Sequence, residues 1–318
     1  MKKVILLLLS ISLFTACENE PIDSALFGTE NPTGGGQTGG GGTGGGTGGG
    51  GSESNDLTLS SYSFNTETEA PIIGNTIVDT DFVMGNNKVV TLNINSVFFG
   101  TNVTGSGTLE RDGSGRLSAL KAFQSGMQVS ETTISYTGND ISTIVYDDFE
   151  DDTEDYTYTF TTNGNVISRT SSVSDITVEY TFNGSNQLTK KESMDSGSIL
   201  QTELLTYDAN GNCTNVNTTG ENENATTYGF DSFTNPLKEA FSDQFLFNIL
   251  EASYSTEAGS SIVQFFSTNN WNSITTSEGT LDFNMQYNSA NRIESRIGSY
   301  ILEEGVTIDQ EELYNYVN

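Results

Sequence analysis

Tyr156-Thr157-Tyr158-Thr159-Phe160-Thr161-Thr162-Asn163-Gly164-Asn165-Val166 decides the fold. Three aromatic side chains alternate with threonines, and the run stops at Asn-Gly-Asn. Alternation at period two, rich in Thr and Tyr, marks a strand with one buried and one polar face. Asn and Gly accept the positive φ that a tight hairpin turn needs. The signature recurs along the chain. Ile176, Val178, Tyr180 and Phe182 alternate with Thr177, Glu179 and Thr181, and Leu281, Phe283, Met285 and Tyr287 repeat the pattern.

The turns repeat as well. Asp112-Gly-Ser-Gly-Arg-Leu117, Thr137-Gly-Asn-Asp-Ile141, Thr162-Asn-Gly-Asn-Val166, Asn183-Gly-Ser-Asn-Gln-Leu188 and Asp208-Ala-Asn-Gly-Asn-Cys213 place Gly and Asn or Asp before an apolar anchor. The anchors fall at 117, 141, 166, 188 and 213, spacings of 24, 25, 22 and 25, with a weaker copy at Tyr287 to Ile293. That period suits two strands and two turns, so the copies build an antiparallel meander. The predicted fold is all-β, a meander of hairpin repeats forming a curved sheet or a soluble barrel. Most alternating runs span about six or seven residues, below the ~9–11 of a membrane-spanning strand. One segment departs. Asn235 can cap, Pro236 suits a first helical position, and Leu237, Phe241, Phe245 and Ile249 recur every fourth residue. This predicts an amphipathic helix over about 236–251, lying against the concave face of the sheet.

Tyr207-Asp208-Ala209-Asn210-Gly211-Asn212 resembles the Tyr-Asp repeat of Rhs-type proteins. Tyr228-Gly-Phe-Asp231 followed by Asn235-Pro236-Leu237-Lys238 is similar to a segment of Bacteroidota surface lipoproteins of unknown function, which have a porin-like β fold. The resemblance covers roughly residues 105–318. It implies architecture and surface location and carries no activity. Rhs-type repeats are associated with carbohydrate binding and with shells around toxins, and the copies here are too few to enclose one.

The chain divides into a signal peptide (1–16), a tether (17–55) and the β-repeat domain (56–318). Lys2 and Lys3 precede an apolar run, Val4 to Phe14, too short to span a membrane as a helix. Phe14-Thr15-Ala16-Cys17 resembles a lipobox, with Phe14 where Leu is usual, which makes Cys17 the lipidation site. Acyl chains add about 0.8 kcal/mol per buried CH₂ and anchor a protein to a bilayer. Residues 34–51 are nearly all Gly, a composition that stays a random coil. From Cys17 to Asn55 the r.m.s. reach is about 35 Å. In the same phylum-level resemblance, Asp23-Ser24-Ala25 matches a short O-glycosylation motif with Ser24 as acceptor, and Glu18-Asn19-Glu20 matches in part the acids that follow the cysteine of surface-exposed lipoproteins. The expected location is the outer membrane, lipid-anchored and surface-exposed.

Twelve Lys and Arg face 42 Asp and Glu, and His is absent. With Lys2 and Lys3 removed, 10 bases remain against 42 acids, a net charge of −32. Such a charge repels nucleic acid and anionic headgroups. The lack of His removes Ser-His-Asp and Cys-His catalysis and His-containing zinc sites. Cys213 has no partner once Cys17 is acylated, and it occupies an anchor position, which reads as a small buried hydrophobe.

Three features could carry chemistry. Asp147, Asp148, Glu150, Asp151, Asp152, Glu154 and Asp155 could offer carboxylate oxygens to a weak calcium ion, although their spacing matches no EF-hand loop. The simpler reading of the run is a solvated hairpin tip that also blocks edge pairing. Asp208, Asn210 and Asn212 also look calcium-like, and the repeat explains them as turn residues. Trp271, flanked by Asn269, Asn270 and Asn272, could stack on a sugar ring or pack in a core. No feature selects a catalytic pair among the acids for glycoside hydrolysis. The functional readings are a binding module for glycan or envelope protein, a structural or accessory lipoprotein of an envelope complex, and a carboxylate-based glycoside hydrolase. No catalytic residue is assigned and no cofactor beyond weak calcium is expected.

Overall fold

The computed structural model describes residues 57–70, 74–98, 100–277, 279–301 and 306–317. Cys17, Ser24 and the glycine tether lie outside the described residues.

Nineteen antiparallel strands run in sequence order, from β1 (Leu59–Ala70) and β2 (Gly74–Gly85) through to β18 (Ile293–Ile301) and β19 (Thr307–Tyr316). β19 pairs back onto β1, with Tyr316 opposite Leu59 and Thr307 opposite Glu69. Each strand pairs with its sequence neighbours except β16 (Gly279–Asp282) and β17 (Asn284–Tyr287). These two run end to end, β16 pairing with β15 (Asn269–Thr276) and β17 with β18. The result is an all-β meander forming a nearly closed barrel, as the alternation predicts.

The repeat anchors occupy equivalent places. Leu117, Val166, Leu188, Cys213 and Ile293 begin β5 (Leu117–Gln124), β9 (Val166–Ser171), β11 (Leu188–Asp195), β13 (Cys213–Gly220) and β18, while Ile141 is second in β7 (Asp140–Asp148). Each period is therefore two strands and two turns. Four copies share one turn. In Asp112, Asn183, Asp208 and Asn288 the side-chain Oδ1 accepts backbone N–H bonds from the second and fourth residues onward, at 2.8–3.1 Å. The residue before the last takes positive φ: Gly115, Asn186, Gly211 and Asn291. These are the residue types that tolerate it. A tyrosine from the next hairpin then locks the anchor. Tyr136, Tyr207 and Tyr316 donate to the carbonyls of Leu117, Leu188 and Ile293 at 2.7–2.9 Å.

These turns gather at one end of the barrel, here the tether end, because β1 enters there: Leu59 N–H donates to Asn87 in the turn between β2 and β3 (Lys88–Phe98). The opposite, distal end carries the turns at 125–126, 149–155, 172–175, 196–197 and 221–223.

Two expectations are corrected. Strands are longer than six or seven residues, mostly 8–12, because each continues through polar positions that break the apolar alternation. Length thus does not separate this barrel from a membrane-spanning one. The outward face exposes polar side chains such as Thr159, Thr161, Asp309 and Glu311 alongside Val83, Leu204, Ile297 and Leu313. Second, the helix over 236–251 is not continuous. A single α-turn, Leu237–Ala240, is followed by turns and a π-helical stretch, Leu246–Glu251. Apolar residues every fourth position drift about 40° per step around a helix of 3.6 residues per turn. Of Leu237, Phe241, Phe245 and Ile249, only Ile249 falls within the π-helical stretch. A second helical piece, Gly259–Ser261 continuing as Ile262–Phe266, was not predicted. Asn235 does cap, its Oδ1 accepting from Leu237 N–H at 3.0 Å.

Candidate functional site: the filled interior

Residues 235–268, between β14 (Asn224–Thr234) and β15, enter at the tether end and fold up inside the barrel. At their base Asn235 N–H donates to Thr268 O at 2.9 Å. The near arm packs Phe241 on Tyr62, Phe82 and Phe265, with centroids 4.6–5.7 Å apart. Arg111 of β4 (Thr101–Arg111) holds Asp243 at 2.7 Å.

The far arm is gripped by side chains from consecutive strands, each reading its backbone. Arg169 on β9 donates to the carbonyls of Leu250 and Ala252 at 2.7 and 2.6 Å. Tyr180 on β10 (Ile176–Phe182) donates to Ile249 O at 3.1 Å. Lys191 on β11 donates to Ser253 O and Thr256 O, and Ser193 to Tyr254 O. On β12 (Ser198–Tyr207), Gln201 donates to Ser255 O, and the Glu203 carboxylate accepts from the N–H groups of Ala258 and Gly259 at 2.8 and 2.7 Å. A chain without regular structure leaves backbone polar groups unpaired, and these side chains supply the partners. Gly259 has no room for a side chain, since a Cβ would meet Val216 Cγ2 at 2.5 Å.

Burial sets the electrostatics. It pushes the Glu203 carboxyl up, against the pull of Lys191, and pushes the Lys191 ammonium down, against the pull of Glu203. Glu251 closes the far arm, accepting from Tyr156 and Thr132 at 3.0 and 3.2 Å, and burial pushes its carboxyl up to about 7.

The second charged cluster pins the returning arm. Arg296 on β18 and Glu312 on β19 are 2% and 0% exposed. Arg296 Nε lies 2.8 Å from Glu312 Oε1, and its terminal nitrogen reaches both carboxylate oxygens at 2.5 Å. Tyr62, Tyr314, Gln264 and Gln310 also donate to Glu312 at 2.7–2.9 Å. Burying a charge is tolerated only with such complete pairing. Gln264 belongs to residues 235–268, so the network ties the returning arm to both strands.

The predicted site residues fall elsewhere or differently. Trp271 is not in a loop. It lies in β15, 2% exposed, with Nε1 donating to Gln264 at 2.6 Å and the Arg296 guanidinium 4.3 Å above its ring. Phe283 and Tyr228 close the remaining sides, so no ring face is left for a sugar, which corrects the ligand-contact reading. The Asn neighbours misled because they are structural: Asn269 and Asn212 exchange bonds of 2.8 and 3.0 Å. In the acidic run, Asp148 accepts from the N–H groups of Glu150 and Asp151, Asp151 from Thr153, and Asp155 from Asp148. Among the described residues, no three acids or cysteines gather as a metal-binding group. Cys213 is fully buried, and burial lifts its thiol to about 12. Arg169, Lys191, Glu203, Arg296 and Glu312 were missed by sequence reading. Their signal was parity: Glu312 shares its face with Tyr314 and Tyr316.

No family model matches the chain, and no curated protein matches it. Among solved structures, a porin-like protein from Bacteroides uniformis is similar with a TM-score of 0.46 and 11% identity, covering 81% of this chain and 98% of that one. The TcdB2-TccC3-TEV structure is similar with a TM-score of 0.26 and 10% identity, covering 73% of this chain and 12% of that one.

Proposed function

We propose that this protein is a lipid-anchored component of the cell envelope that works as a binding module, with its barrel as a rigid carrier. The observation that carries the reading is the filled interior. Residues 235–268 occupy the space inside the wall and bond to it from β1 round to β19. A barrel so filled is not a conduit, and its working surface is the outside and the two rims. Hairpins on a stiff scaffold suit recognition, because connections vary while the scaffold holds them. The sequence of residues 1–55 supplies the anchor at Cys17 and the reach away from it.

Two experiments test this. Metabolic labelling with a fatty-acid analogue should tag the wild type and not Cys17→Ser; labelling of the variant refutes the anchor. The mature chain should bind a subset of a glycan array or an envelope protein without turning over glycosidase or peptidase substrates. Turnover abolished by changing one Asp or Glu pair to amides would replace this reading with a carboxylate hydrolase.

A further inference from the structure

We infer that the distal rim of the barrel is the docking surface, and that it fits a basic protein whose apolar sockets are flanked by Lys and Arg. This rests on the binding-module reading and names the surface that module uses.

Four successive distal hairpins each present a large apolar side chain to solvent. Met127 opens β6 (Met127–Thr137) after the turn from β5 and is 69% exposed, Phe149 between β7 and β8 (Tyr156–Asn163) is 52%, Val173 between β9 and β10 is 65%, and Ile199 after the β11–β12 turn is 61%. Turn residues are ordinarily Gly, Asn, Asp, Ser and Pro, chosen for backbone reasons and at ease in water. The tether-end turns obey that rule. Residues 112–116, 138–139, 164–165, 183–187, 208–212 and 288–292 contain no exposed large apolar residue. Met127 and Ile199 are strand residues just beyond their turns, and Phe149 and Val173 lie within theirs. The two strand residues on either side of each of these tether-end turns likewise include no exposed large apolar side chain, Val83 and Val317 being the exposed apolar residues toward that end. Strands lie 4.7–4.9 Å apart, so tips two strands apart are spaced by roughly 10 Å and four of them span an arc of roughly 30 Å. That breadth suits a standard interface of about 800 Å² per partner.

Charge selects the occupant. The acidic run 147–155 shares this rim with Asp175, Asp195, Glu221 and Glu223, and the distal turns between residues 125 and 223 hold no Lys or Arg. The bases lie elsewhere. Lys88, Arg111, Arg116, Lys238 and Arg292 sit toward the tether end, Arg169, Lys191 and Arg296 are buried, and Lys121 and Lys190 pair with Glu110 and Glu192 on the wall. Apolar tips alone would suit a bilayer. Acids around them repel anionic headgroups and attract a cationic protein surface, which also speeds encounter. β1 begins at the opposite end, so the tether does not start from this rim.

The test uses the full chain in cells of its host. A photoreactive amino acid replaces Ser125, Ser174 or Ser196 beside the tips, or Ser114, Ser185 or Ala209 at the tether end. Distal positions should give discrete adducts with another protein through Lys- or Arg-bearing peptides, and tether-end positions should not. Combining Met127→Ser, Phe149→Ser, Val173→Ser and Ile199→Ser should cut the yield about tenfold, the scale of losing interface anchors, with Tm unchanged. Adducts arising from the tether end instead refute this surface and leave the binding module standing. Absence of protein adducts from every position refutes the docking surface and leaves glycan binding by the module standing. Distal adducts with lipid or a second copy of the chain, or co-sedimentation of the protein with phosphatidylcholine/phosphatidylglycerol vesicles, refute the basic-protein assignment.

Discussion

Glu312 and Glu203 are both wall carboxylates, both fully buried, and both hold residues 235–268, yet they are secured in different ways. Glu312 meets a guanidinium whose planar fork matches its two oxygens, with four neutral donors filling its remaining directions. Glu203 meets two backbone N–H groups, while its cationic neighbour Lys191 spends its protons on the carbonyls of Ser253 and Thr256. The first cluster is a closed electrostatic unit. The second is a set of single grips on an irregular chain, and each grip can be weakened alone. Arg and Lys are not interchangeable in such roles.

Breaking the closed unit should have the largest effect. Arg296→Met leaves Glu312 buried without its cation and should cost about 3–5 kcal/mol, read from urea denaturation. A loss below 1 kcal/mol would mean that the neutral donors suffice and would erase the contrast. Next come the two aromatic positions once assigned to one helix. Phe241→Ala should cost about 3–5 kcal/mol, since the ring is fully buried. Phe245→Ala should cost distinctly less, because that ring is only partly buried against Phe182 and Phe266. Equal losses would restore the continuous stripe.

The far arm should also respond to pH. Burial raises the Glu251 and Glu203 carboxyls, so the fold favours their neutral forms. That contribution is complete below the ordinary carboxylate value of 4.5 and is lost as pH rises through about 7. Burial pushes the Lys191 ammonium down to about 8, so it adds an opposing slope only at the top of this window. Stability should therefore fall from pH 5 to pH 8, and Glu251→Gln should flatten the fall by roughly 1–3 kcal/mol. A wild-type profile as flat as the variant's would remove Glu251 from the account. Smallest is the anchor lock. Tyr207→Phe removes its bond to Leu188 O and should cost about 1 kcal/mol by thermal denaturation.

The difference between wall and interior also explains what the sequence made legible. Wall strands are dictated by neighbours: Tyr156 to Phe160 alternate, and Asp208 closes its own turn within four residues. Such signals survive in one dimension. The interior segment is dictated at long range, for Gln264 meets Tyr62 across 202 positions. Its local pattern of Leu237, Phe241, Phe245 and Ile249 correctly marked an apolar face and gave the wrong helix, because the wall's carbonyl- and N–H-seeking side chains set its path. Trp271 failed for the same reason. Its Asn neighbours looked loop-like alone and became strand residues only through Asn212, 57 positions earlier. The buried charges were hidden because inward polarity was read as outward.

The seam between β1 and β19 sets the order of assembly. Its hydrogen bonds join residues as far as 255 positions apart. Apart from the β14–β15 ladder, which spans residues 235–268, every other ladder joins close neighbours in sequence and can form as a hairpin in microseconds. The ring shuts only when its most distant strands meet, and the search for that contact carries the largest loop-closure cost. Until then two strand edges stand open. Refolding of this barrel is accordingly limited by its last ladder, and the half-made ring is the species most exposed to edge-to-edge association.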